Sequence, residues 1–117
     1  MTTEEYRSPG KTTLAPEVLL TIARMSALGV EGVSHLAQIP GGFDRLFRHG
    51  SDNGVQMTVE DGIVYIELYV VLKSEVNVRE VSRNMQAKVS RAISEMVGLE
   101  VGHVNIHIED IDYKGNE

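Results

Sequence analysis

The chain has 117 residues, with 17 Asp and Glu against 11 Lys and Arg, and a formal charge of −6. That length suits one domain, and 42% apolar with 24% charged residues is the balance of a globular chain that buries a core without staples. The absence of Cys excludes disulfides, thiolate nucleophiles and Cys-based metal sites, while the acidic balance, the lack of Trp and 5% aromatics argue against nucleic-acid binding.

No apolar run approaches the ~20 residues that a membrane span needs. Residues 1–13 are polar, contain Pro9-Gly10 and show no apolar leader, so they read as a flexible arm. Residues 14–113 then form one domain, and residues 114–117 a frayed tail.

The first helix is expected from Pro16 to Leu28. Pro16 suits the first turn, where its missing N–H costs nothing, and Gly29 is a C-terminal stop. Val18, Ile22, Met25 and Leu28 recur at helical spacing and are assigned to the core. Leu20, Ala23 and Ala27 make a second apolar side, roughly opposite. A helix apolar nearly all round is usually buried on more than one side. Either it is wedged between sheet and loop, or this second side serves self-association or a partner.

A short strand is expected over 33–38, then a Gly- and Pro-rich loop over 39–53. That loop holds both Phe residues of the chain, Phe43 and Phe47, on one side of a helical turn, with Arg45, Arg48 and His49 on the other. They plug the open end of the core or touch a membrane surface. The plug is the simpler reading, because a single turn buries too little area for stable membrane binding.

Val55, Met57 and Val59 alternate with polar residues up to Asp61-Gly62, and a β-branched run follows over 63–72. Asp-Gly between such runs signals a type I′ hairpin. Asn77 opens a long helix, with Glu80 placed for a capping box. Val78, Val81, Met85, Val89, Ala92 and Met96 make its core stripe, and Gly98 ends it. A last strand is expected over 99–111, with Val104, Ile106 and Ile108 on one face and His103, Asn105 and His107 on the other.

The order α-β-β-β-α-β predicts an α+β, two-layer sandwich: two main helices packed on a three- to four-stranded mixed sheet. The strand–helix–strand step should be a right-handed crossover.

His103, Asn105 and His107 invite a metal reading, since alternate strand residues share a face. Their rise along the strand puts His103 and His107 ~13 Å apart, too far to share one ion with ~2.0–2.1 Å bonds without help. Glu67 could join them if the strand registers allow. A polar, partly exposed sheet face is the simpler reading. There is no G-x-S-x-G elbow, no H-E-x-x-H helix and no phosphate-binding glycine loop. The expectation is therefore no enzyme, no cofactor and no metal. Tyr65, Tyr69 and Val71 share the sheet face with His103 and His107, a mixed aromatic and polar surface of the kind found at interfaces. The candidate interaction residues are Leu20, Ala23, Ala27, Phe43, Phe47, Tyr65, Tyr69, His103 and His107.

The ordered set of motifs resembles a bacterial family. It runs from Leu14-Ala15-Pro16-Glu17-Val18-Leu19 through Val30-Glu31-Gly32-Val33, the hairpin Val55 to Leu72, and Val76-Asn77-Val78. It continues with Met85-Gln86-Ala87-Lys88-Val89, Met96-Val97-Gly98-Leu99 and Val104-Asn105-Ile106-His107-Ile108. These segments are similar to the alkaline shock protein family, envelope stress response proteins of the Gls type. The resemblance implies a small, non-enzymatic, cytoplasmic α+β protein of cell-envelope homeostasis. It implies protein partners, among them a membrane-anchored protein that recruits it to the inner face of the membrane, and self-association. The same surfaces would serve a regulatory adaptor for an enzyme of fatty-acid or phospholipid synthesis. No catalytic residue carries over.

Overall fold

The computed structural model describes residues 14–39, 51–52 and 54–113. The expected arm and tail, and Phe43 and Phe47, lie outside the described residues. Helix α1 spans Pro16–Leu28, β1 Val33–Leu36, β2 Ser51–Asp52, β3 Val55–Glu60, β4 Ile63–Lys73, helix α2 Val78–Val97 and β5 Glu100–Asp112.

The helices begin differently. Ala15 precedes α1 and offers no side-chain cap, whereas Asn77 Oδ1 accepts the Glu80 N–H at 3.0 Å at the start of α2. Gly29 and Gly98 close the two helices as expected, Gly98 in the left-handed region at φ 81°.

Strand β4 organises the sheet. β5 runs parallel along one edge of β4, from Ile63 opposite Glu100 to Lys73 opposite Asp112. The other edge is shared end to end by two antiparallel strands, β3 opposite Ile63 to Leu68 and β1 opposite Val70 to Leu72. Two-residue β2 adds to the outside of β3, so the mixed sheet has five strands, one short strand beyond the expectation. The hairpin turn has φ 53° at Asp61 and 78° at Gly62, the two positive values a type I′ turn requires. At the joint between β1 and β3, Tyr69 donates its N–H to Gly54 O (2.8 Å), and its carbonyl accepts the Ala37 N–H (2.7 Å). A Cβ on Gly54 would stand 2.6 Å from Ala37 O, so only glycine lets the two strands abut.

Val64, Ile66, Leu68, Val70 and Leu72 point from β4 into one core, joined by Val55, Met57 and Val104. Both helices cover this face. Leu19, Leu20, Ala23 and Ala27 come from α1, and Val81, Met85, Val89 and Ile93 from α2.

Two expected stripes pack differently. The core side of α1 is the one carrying Leu20, Ala23 and Ala27, while Val18, Met25 and Leu28 are exposed and Ile22 is only partly buried. Periodicity marks both stripes equally. The side with two alanines wins, because small residues let the helix approach α2 and the sheet closely. On α2, Ile93 replaces Ala92 and Met96. The packed row continues in steps of four from Val81, following one ridge of the helix. Val78 and Met96, at its two ends, are exposed.

Candidate interaction surface

The face of β4 turned away from the helices carries Tyr65, Glu67 and Tyr69. Register sets Tyr65 opposite His103, Glu67 opposite Asn105 and Tyr69 opposite His107 on β5, with Gln56 of β3 on the other side of Glu67. A break in the β4–β5 pairing makes this possible. Val101 pairs with Val64 and His103 with Tyr65, so Gly102 is the extra residue of a bulge. The bulge aims His103, Asn105 and His107 outward and Val104, Ile106 and Ile108 inward. A Cβ on Gly102 would lie 2.4 Å from Tyr65 Cε1, so the bulge needs glycine to clear that ring.

Glu67 ties the surface together. Its Oε1 meets His107 Nε2 at 2.6 Å, and its Oε2 accepts from Asn105 Nδ2 at 2.9 Å. His103 Nε2 stands 3.5 Å from the same Oε2. The two histidines, well separated along the strand, thus lean toward one carboxylate between them. The Tyr65 ring tilts at 54° over His103 with centroids 4.9 Å apart, and Tyr69 stacks on His107 at 4.5 Å and 12°.

Tyr69 is not the exposed residue expected. It is 8% exposed, and Val71 beside it is also buried. One face of its ring is spent on His107, and its hydroxyl donates to Gln56 Oε1 at 3.3 Å. Gln56 is fully buried, and its Nε2 has no hydrogen-bond partner among the described residues. Burial pushes the Tyr69 phenol above its usual value, with the carboxylates of Glu67 and Glu109 adding to the rise. No sequence signal marked Gln56 as buried. It alternates like a solvated strand residue, and only the Tyr69 partnership sets it apart.

Tyr65, Tyr69, His103 and His107 are therefore brought together around the Glu67 carboxylate. Both oxygens of Glu67 are committed to these neighbours. Among the described residues, no group of three or more His, Cys, Asp or Glu is arranged to hold a metal ion. The half-exposed imidazoles, the Tyr65 ring and a depression shared with Thr58 and Glu60 offer hydrogen-bonding atoms and aromatic surface held in fixed orientations. Leu20, Ala23 and Ala27 are not part of any surface; they lie in the core. No described helix is long and apolar enough to cross a membrane.

Residues 4–113 match the model of the alkaline shock protein 23 family, of cell envelope-related function. The chain is 35% identical over 114 residues to protein Spy1535 of Streptococcus pyogenes serotype M6, covering 95% of this chain and 84% of that one. It is 27% identical over 106 residues to YloU of Bacillus subtilis, covering 87% of this chain and 88% of that one. Among solved structures, a MamM CTD variant superposes with a TM-score of 0.54 at 10% identity, covering 85% of this chain and 100% of that one. At that identity the likeness is one of fold alone.

Proposed function

The chain belongs to the alkaline shock protein 23 family, of cell envelope-related function, and we propose that it serves that function without catalysis, by binding protein partners through the outer sheet face. The observation that supports this is the Glu67 network. A carboxylate holding two histidines and an asparagine, with tyrosines laid on both imidazoles, orders a surface without building an enclosed site. Interfaces favour such rigid aromatic and polar groups, which lose little entropy on binding. The protein's place in this reading is the cytoplasm, at the inner face of the membrane, where an anchored partner recruits it.

The test is site-specific photocrosslinking in the native cell from position 65, next to His103. One dominant envelope protein is expected, lost when Glu67→Ala loosens the imidazoles. Crosslinks to soluble enzymes of lipid synthesis instead would turn the reading to the adaptor. Crosslinks that Glu67→Ala leaves unchanged would remove this face from the account.

A further inference from the structure

We propose that the helix layer docks directly on an anionic lipid surface, with α1 lying along the headgroup region. The outward side of α1 carries the observation. At 100° per residue, Val18, Met25 and Leu28 fall on one side, opposite the packed side of Leu20, Ala23 and Ala27, and Leu14 extends that side just ahead of the helix. Leu14, Val18, Met25 and Leu28 are 44, 42, 65 and 43% exposed, so the ridge that faces solvent is largely apolar, with Thr21 among them and Glu17 at its edge.

Helix α1 itself is balanced, with Glu17 against Arg24. The neighbouring helix tips the balance to positive. Helix α2 exposes Arg79, Arg83, Lys88 and Arg91 against Glu80 and Glu95. Lys88 Nζ donates to the carbonyl of Gly29 at 3.3 Å, which fixes an ammonium at the C-terminal end of α1, next to Leu28. Arg91, Glu95 and the exposed Met96 line a depression shared with Ser26 of α1. Within α2, Arg79, Arg83, Lys88 and Arg91 outnumber Glu80 and Glu95, whereas β5 carries Glu100, Glu109, Asp110 and Asp112 with no Lys or Arg. Charge is thus sorted between the layers, basic on α2 and acidic on β5. With a screening length of about 8 Å at physiological salt, a docking surface responds to the cluster it meets, not to the net charge of −6.

An apolar ridge flanked by Arg and Lys is the pattern of helices that lie in a membrane interface. The ridge is the convex back of a helix. A bilayer accepts a convex apolar edge without a shaped groove, which favours lipid over a protein groove. This inference concerns the layer opposite the proposed partner face and does not depend on it.

The experiment is flotation of the full chain with phosphatidylcholine vesicles, with and without phosphatidylglycerol, at low and high salt. Binding is expected only with phosphatidylglycerol, falling as salt rises. Met25→Glu should abolish it, and Arg83→Glu with Arg91→Glu should weaken it by at least about tenfold. All three positions are exposed, and unchanged circular dichroism and melting would show the variants folded. Tyr113→Glu, exposed just past the end of β5, should bind as the parent does. No binding to phosphatidylglycerol vesicles, equal binding to both vesicles, or binding indifferent to Met25→Glu would overturn the proposal. So would a drop in oligomeric mass caused by Met25→Glu in a protein that ignores vesicles, since the ridge would then hold a second copy.

Discussion

Strand β4 has two faces built on different principles. Toward the helices, the side chains of Val64, Ile66, Leu68, Val70 and Leu72 are all fully buried, and apolar contact alone holds them. Away from the helices, Tyr65, Glu67 and Tyr69 are held by directed bonds and ring stacking to β3 and β5. The first face is tolerant in direction and costly in volume. The second buries Tyr69 and Gln56 but leaves Tyr65 and Glu67 partly open, and each group fixes its neighbour's orientation. One strand therefore supplies stability on one side and an ordered surface on the other.

The largest effect separating the faces should come from the core. Leu68→Ala is expected to cost about 2–5 kcal/mol by urea denaturation, the usual range for a fully buried leucine. A cost under about 1 kcal/mol would mean that the helices do not close on this face.

Next is the buried polar pair. Tyr69→Phe removes the only hydrogen bond described for the Gln56 side chain and leaves its Oε1 buried without a donor, at a cost of about 1–3 kcal/mol. Adding Gln56→Met should recover most of that loss, because removing both partners removes the unmet group as well. A double variant no better than Tyr69→Phe alone would show that the hydroxyl acts elsewhere.

Smaller still is Glu67→Gln. Its carboxylate is 22% exposed and its two histidines about half exposed, so its contacts with them should contribute only about 0–1 kcal/mol. The change should be read instead in the imidazole NMR shifts of His103 and His107, which lose the anion that orients them. Unmoved shifts would mean that the network does not persist in solution.

The two faces also differ in how they can be read from sequence. The apolar face of β4 was legible in full, because Val64, Ile66, Leu68, Val70 and Leu72 recur at period two against Tyr65, Glu67 and Tyr69. So were both helix spans, the Asp61-Gly62 turn and the Asn77 cap, each set by its own few residues. The packed side of α1 was not legible. Two apolar stripes on one helix are equivalent until a neighbour chooses between them, and the choice fell to Ala23 and Ala27. The Gly102 bulge was invisible for a related reason: its effect is a register between strands far apart in the chain. The outer face was legible as a list of residues, but its centre, Glu67, and the burial of Tyr69 depend on that register.

The pH behaviour of Tyr69 is the finest test of the contrast, because only a group on the directed-bond face has a proton to lose. Its phenol is raised in the folded chain, by burial first and then by Glu67 and Glu109. Below about pH 10, the ordinary tyrosine value, folded and unfolded chains both keep the proton, and the full contribution of the neutral hydroxyl is present. As pH rises past that value the unfolded chain releases its proton first. The folded state then binds more protons, and stability falls with pH until the folded phenol also ionises. Because the chain has 4 Tyr, the comparison must be with Tyr69→Phe. Denaturation midpoints of the parent chain should fall more steeply than those of the variant above about pH 10. Parallel curves would place the Tyr69 hydroxyl in water and reduce the second face of β4 to an ordinary solvated one.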